Sequence, residues 1–467
     1  MNTLSAASAA NRFGMGARAG DLTDIRDPQS CLLAQLKPQS SIDAFAELPS
    51  SAEYLQRESD YRMQRQAAKK QSAGTANPDR DAANANAMGF RQVFGDDRDA
   101  ELTARYQVAV ESDAGFVERL VRFWSNHFAV STDKRPALLY AAPMEREAIR
   151  PHLNGRFIDL LLAVETHPAM LRYLDNTASV GADSRYGQRA ARMQGKVRGL
   201  NENLAREIME LHTVGVDGGY TQTDVTECAR ALTGWGTPTP RDNANTAFVF
   251  HANAHEPGAR TVLGKRYPEA GIEQGRAILA DLARHPATAK HLALKLSRHF
   301  VADTPPPALV ERLARTYLNH DGDLGAVYRS LIESAEAWQP DARKFKTPED
   351  FVVSAWRTLD TSSLPKAKAI YGLLARLGQP PFEPRSPAGF SDVGASWVGA
   401  DALFKRIQAS EAIANRAKAD LIDPQALARS ALGSGASTEL LTAVRRAESP
   451  QQALALLYAS PAFQWRV

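Results

Sequence analysis

The chain has 467 residues, 44% of them hydrophobic and 23% charged, and 56 basic against 53 acidic residues leave a formal net charge of +3. That balance argues against a nucleic-acid binder, which carries a strongly basic face. Two cysteines, Cys31 and Cys228, are too few for a disulfide framework or a four-cysteine zinc site.

No apolar run reaches the length of a membrane span. The opening MNTLSAASAANRFGMGARAG lacks the basic and apolar regions of a signal peptide, so a cytoplasmic location is expected. The length exceeds one ordinary core. A single large helical domain over 1–467 is expected, with subdomains 1–235 and 236–467 as the finer division.

Residues 1–27 read as a short helix, a glycine-containing turn at 13–20 and a second helix starting at Asp21. Residues 41–71 read as a helix that grows polar through YRMQRQAAKKQ. The stretch 72–97 is poor in apolar residues and rich in Ala, Asn, Asp and Gly, which predicts an exposed connection. From 99 to 130 the pattern is helical, and His127 sits between aromatics in FWSNHF. Helices follow over 143–154 and 156–174, and the basic stretch 186–198 is predicted to be exposed.

The most informative stretch is 201–235, NENLAREIMELHTVGVDGGYTQTDVTECARALTGW. Asn201 suits an N-cap, and strong helix formers continue to His212 without proline. At about 100° per residue Leu204, Ile208 and Leu211 share one stripe. Asn203, Glu207 and Glu210 lie beside it, and His212 is on the far flank. Gly215, Gly218 and Gly219 make a turn. Thr221 and Asp224 then open a second helix in T-x-x-D fashion, which ends at Gly234. Trp124, Phe128, Leu204, Ile208, Leu211 and Leu232 are the expected core beneath the turn.

Beyond Trp235 lies the one clear β signal. Residues 247–251 (AFVFH) and 260–263 (RTVL) are predicted to pair as a hairpin across ANAHEPGA. The remainder is helical over 271–284, 286–301, 307–319, 323–336, 348–360 and 366–377. A proline- and glycine-rich loop spans 378–399, and helices follow over 400–418, 424–432, 437–446 and 450–458. The fold class is therefore mainly α, an irregular multi-helix array with one small antiparallel β-hairpin.

The central stretch resembles the bacterial family known as domain of unknown function 1800, and the likeness covers almost the whole chain. NRFGMGARAGDL is similar to its opening motif, and FWSNHFAVS to its tryptophan–histidine segment. HEPGARTVLG resembles its H-D-x-G-x-K-T-x-L-G turn, and FKTPEDFVVSAWRTL its later helix. LGQPPFEP and SPAGF resemble its proline loop, and SPAFQWR its closing S-P-E-F-Q-x-R. Glu256, Arg260, Phe390 and Ala462 stand where that pattern has Asp, Lys, Trp and Glu. The family's activity is uncharacterised. Its members often lie beside a second family, domain of unknown function 1501, which resembles sulfatases and alkaline phosphatases and commonly carries export signals. The resemblance implies a co-encoded sulfatase-like partner and co-export with it by the twin-arginine route.

Polar residues expected to converge are His127, Asn203, Glu207, Glu210, His212, Asp224, His251, His255 and Glu256. Imidazole and carboxylate suit a divalent metal such as zinc or manganese, whose bound water would serve as nucleophile near neutral pH. The candidate ligands are His127, Glu207 and His255. Spacing does not support a short metal motif, because Glu207 and His212 are i, i+5, whereas H-E-x-x-H needs i, i+4. The catalytic candidates are Glu207 as general base, with Asp224 and His212 as orienting groups. The bland reading pairs Glu207 and Glu210 with Arg206, Arg230 or nearby backbone amides, makes His127 a core histidine and lets His212 simply favour the helix dipole. The expectation is a hydrolase-like enzyme acting on carbohydrate or on phosphate or sulfate esters. The alternative is a non-catalytic helical partner or scaffold for the sulfatase-like protein.

Overall fold

A recurring pair of residues sets many helix starts: a side-chain cap followed at once by proline. Asp27 and Pro28, His167 and Pro168, His285 and Pro286, and Thr347 and Pro348 each open a helix this way. The cap side chain accepts an N–H of the first turn, and proline has no N–H to leave unsatisfied. The computed structural model describes residues 6–37, 42–71, 78–193, 199–239, 242, 245–340, 342–359, 364–417 and 422–466. Among them helix dominates, and the only sheets are three antiparallel pairs of strands.

The elements that matter below, in chain order, are α1 (Pro78–Glu111), α2 (Gly115–His127), α3 (Phe157–Glu165), α4 (Asn203–Glu207) and α5 (Gln222–Ala231). Four short strands follow: β1 (Trp235–Gly236), β2 (Val249–Phe250), β3 (Arg260–Val262) and β4 (Lys265–Tyr267). Then come α6 (Pro286–Phe300), β5 (Lys344–Phe345), α7 (Pro348–Arg357), α8 (Ala400–Ala414) and β6 (Trp465–Arg466).

Two expectations change here. The hairpin does not join 247–251 to 260–263. Instead β2 pairs with β1, and β3 turns back on β4 through Leu263 and Gly264. Both turn residues have positive φ, 49° and 76°, the geometry a two-residue hairpin loop requires. The stretch 78–97 is the first half of α1, with Phe94 buried and Asp97 paired to Arg57 at 2.7 Å. Residues 72–77 lie outside the described residues.

Two buried apolar clusters carry the packing. One draws on residues from Ala9 to Ala342, so position 235 lies inside it. The other draws on Met15, on residues 102–110 and on residues 351–463. Between them runs a seam of buried ions: Arg119 of α2 donates to Asp350 of α7 at 2.8 Å, and Arg105 of α1 reaches both Glu145 and Glu349. Both ends of the described chain enter this interior. Arg12 donates to the carbonyls of Ala337 and Gln339, Asn11 to that of Ala431, and β6 pairs with β5.

Trp124, Phe128, Leu204, Ile208 and Leu232 are buried as expected, but Leu211 is only half-buried. The cause is a π-turn, Ile208–His212, that continues directly from α4. A turn closed from i to i+5 holds one residue more than an α-turn and shifts the register of the stripe beyond it. His212 therefore turns inward and Leu211 outward.

Candidate functional site

Two polar centres lie on one face of α6, which carries His291, Lys295 and His299 at i, i+4 and i+8. The first is built around the π-turn. His212 is fully buried, and its Nδ1 lies 2.7 Å from Glu165 Oε1 at the end of α3. The π-turn leaves main-chain carbonyls without helical partners, and imidazoles supply them. His127 Nε2 donates to His212 O at 3.2 Å, and His291 Nε2 donates to Leu211 O at 3.1 Å. Gly215, at φ +85°, lets the chain pass against the His291 ring, where a Cβ would come within 2.9 Å of Nδ1. Burial, then Lys295, push His291 down to about 4, and the same two causes hold His127 well below the ordinary imidazole range. Both rings are therefore neutral donors to the backbone.

Glu207 is half-buried beside this centre and makes no hydrogen bond or ion pair among the described residues. Its neighbours are already engaged: Arg206 with Glu202 and Gln222, and Arg230 with Glu227. Burial raises its carboxyl above the ordinary range, and His212 is the strongest opposing influence. The i, i+5 separation of Glu207 and His212, which would part them on an α-helix, brings them together on a π-turn.

Asp224 and His255 belong to the other side of the unit. Asp224 closes a capping box, taking Thr221 N–H at 2.8 Å, and its second oxygen takes Leu263 N–H at 2.7 Å, which ties α5 to the β3–β4 turn. His255 Nδ1 donates to Thr233 O at 3.0 Å, and Glu256 accepts Asp183 N–H at 2.9 Å. Neither Asp224 nor His255 makes a hydrogen bond, ion pair or ring contact with His127, Glu207 or His212. Among the described residues no three His, Cys, Asp or Glu side chains converge as a metal-holding group, so His127, Glu207 and His255 do not form one.

The second centre opens to solvent. A cleft of about 60 Å³ lies between the end of α2, the start of α7 and the proline loop, lined among others by Arg122, Ser125, His299, Glu349, Phe382 and Asp392. That volume holds a few waters or one reacting group. Asn126 of α2 fastens the loop by a double hydrogen bond to Phe390, donating to its carbonyl at 2.9 Å and accepting its N–H at 2.7 Å. Gly389, at φ +80°, is required there, since a Cβ would lie 2.6 Å from Asn126 Oδ1. The FWSNHF and SPAGF motifs thus meet in space.

Within the cleft His299 Nδ1 donates to Asp392 Oδ1 at 3.1 Å, while its Nε2 has no hydrogen-bond partner among the described residues. Burial outweighs Asp392 and pushes His299 down to about 4, so the ring is neutral and Nε2 carries the free lone pair. Asp392 belongs to a second ion cluster, since Lys344 bonds its carbonyl and also Asp303. Around the cleft, burial alone would raise Glu118, but Arg150 and its neighbours hold it down at about 2. Arg122 donates to Glu118 at 3.1 Å, and its Nε, without a hydrogen bond, faces Glu349 Oε1 at 3.6 Å.

The sequence singled out His127, Glu207 and His212 but not the His299–Asp392 pair, whose members are 93 positions apart. One signal was present. His291, Lys295 and His299 repeat at the spacing that puts titratable groups on a single helix face.

No curated protein and no solved structure matches the chain. The family model described as protein of unknown function (DUF1800) matches residues 8–465, nearly the whole length. The chain is a member of that family.

Proposed function

We propose that this chain is a hydrolase-like enzyme acting on carbohydrate or on phosphate or sulfate esters, with the proline-loop cleft as its active site. The observation that carries the reading is the His299–Asp392 pair at the lining of the cleft, with Nδ1 fixed on a carboxylate and Nε2 buried without a hydrogen-bond partner among the described residues. A base held by a third group in this way is the arrangement that hydrolytic chemistry needs. His299 Nε2 takes a proton from a water whose oxygen attacks the ester or glycosidic centre, Asp392 stabilises the imidazolium as it forms, and the proton passes to the leaving oxygen as its bond breaks, with Arg122 lining the same cleft. In this reading the π-turn centre supports α6 from behind, and Glu207 is the one unengaged acid near it.

The test is a screen of purified protein against chromogenic phosphate, sulfate, acyl and glycosyl substrates, with His299→Gln and Asp392→Asn beside the wild type. Turnover is expected to fall at least about a hundredfold in both variants with the melting temperature held. Equal turnover in wild type and His299→Gln, or none in either on every class, ends this reading.

A second reading makes the chain a non-catalytic partner of the co-encoded sulfatase-like protein, travelling with it through the twin-arginine route. The exposed apolar residues of α8, Leu403, Phe404 and Ile407, favour it. Under that reading a sulfatase-like partner copurifies with the wild type and is lost with Phe404→Glu, and the chain alone turns over nothing.

A further inference from the structure

A cavity of about 300 Å³ opens between α8, the end of α7 and the helix Ala367–Arg376, and it shares no lining residue with the proline-loop cleft. That volume is at the lower end of the range small-molecule sites occupy. Its floor is apolar: Trp356, Leu373 and Ile413 are buried members of the second cluster. The helix Ala367–Arg376 presents Ala369, Gly372, Leu373 and Arg376 to it, the i, i+3, i+4 and i+7 positions of one face. Opposite stand Ala412 and Ile413 of α8, with Arg416 just beyond its end.

The space exists because the facing residues are small. A glycine in mid-helix weakens the helix relative to alanine. Neither common reason for a glycine applies at Gly372: its φ is not left-handed, and a Cβ there would meet nothing within 4 Å. What the missing side chain leaves is room in the cavity.

The rim carries charge of one sign. Arg376 and Arg416 are exposed, and neither side chain makes a hydrogen bond or an ion pair among the described residues. No acidic residue is among those that line the cavity. Each arginine stands at the end of its helix, where the dipole alone would favour a cation. The dipole does not require that both border one apolar cavity. An apolar slot with two unengaged guanidiniums at its mouth complements a molecule with an apolar body and an anionic head. Guanidinium planes pair bidentately with carboxylates. Apart from Trp356 the apolar wall is aliphatic, which suits an alkyl chain better than a stacked ring.

We infer that this cavity binds a free alkyl carboxylate, its chain against Trp356 and Ile413 and its head between Arg376 and Arg416. The site is separate from the cleft, so it stands or falls independently of any activity there. One short chain and an exposed ion pair fit a dissociation constant of roughly micromolar to sub-millimolar strength.

Isothermal titration calorimetry on the full chain tests the inference, with decanoate kept below its micelle-forming concentration. Decanol, decyltrimethylammonium and acetate are the comparators. Decanoate is expected to bind saturably, and each comparator at least about tenfold more weakly. Gly372→Leu fills the slot and should abolish binding while melting holds or rises, since leucine is the better helix former. Arg376→Gln combined with Arg416→Gln should weaken decanoate roughly tenfold and leave decanol unchanged. Both arginines are exposed, so this second variant decides even if Gly372→Leu fails to fold. No saturable decanoate binding overturns the inference, as does binding that survives in folded Gly372→Leu. Equal affinity for decanoate and decanol, or for the double arginine variant and the wild type, overturns the carboxylate as the ligand.

Discussion

At Glu207 a carboxylate is half-buried with no hydrogen bond or ion pair among the described residues, and burial raises its pKa. A carboxyl whose folded pKa exceeds its unfolded one subtracts stability when ionised, and that penalty disappears as pH falls below the ordinary carboxylate range. Glu207→Gln removes the charge and keeps the shape. Stability at neutral pH is expected to stay level or rise, within about 1 kcal/mol by denaturant midpoint. A drop of several kcal/mol would mean that Glu207 is a clasp after all. Loss of turnover with unchanged stability would instead give it a place in the chemistry. Asp224, by contrast, has both oxygens engaged by Thr221 and Leu263.

At the scale of elements, the junction of α2 with the proline loop is the part on which the cleft depends. Gly389→Ala would place a methyl against the Asn126 backbone and side chain at a positive φ, and either effect alone is destabilising. A loss of about 1–3 kcal/mol is expected, with a larger proportional loss of turnover as the loop leaves His299. Unchanged midpoint and turnover would show that the loop does not hold the cleft. Much of the architecture around this junction was readable from residues. Caps followed by proline mark helix starts, and Thr221 with Asp224 reads as a capping box because that chemistry is local. What escaped was non-local or contrary to average composition. The polar run 78–97 is helical because a few residues such as Phe94 reach the core. Residues 260–263 turn back on 265–267 because Leu263 accepts a left-handed conformation usually left to glycine or asparagine. The π-turn is silent in any reading that assumes 100° per residue, and with it the placing of His212 against Glu165.

The molecule carries a set of ionisable groups in its interior, and acid should act on these together. His299 and His291 are pushed down to about 4 by burial, and burial also holds His127 well below its ordinary range. A base with a depressed folded pKa takes up protons on unfolding, so its contribution is complete above about 6.5 and is lost as pH falls towards 4. For His299 alone that loss approaches about 3 kcal/mol. Glu118, held at about 2 by Arg150, adds a second loss below the ordinary carboxylate range. Denaturant midpoints are expected to fall steadily from about pH 7 to pH 5, before most carboxylates protonate. A flat profile over that interval would mean the imidazoles titrate normally.

Arg12 donates to the carbonyls of Ala337 and Gln339, and Arg119 shares Asp350 with Arg466. On the ribosome these partners arrive in strict order. The 325 positions between Arg12 and Ala337, at about 5–20 residues per second, amount to roughly 16–65 s of synthesis. Through that interval the Ala337 and Gln339 carbonyls that Arg12 meets in the folded chain are still to come. The ion seam closes only when Arg466 has cleared the exit tunnel. The seam around Asp350 is therefore among the later parts of the described chain to close.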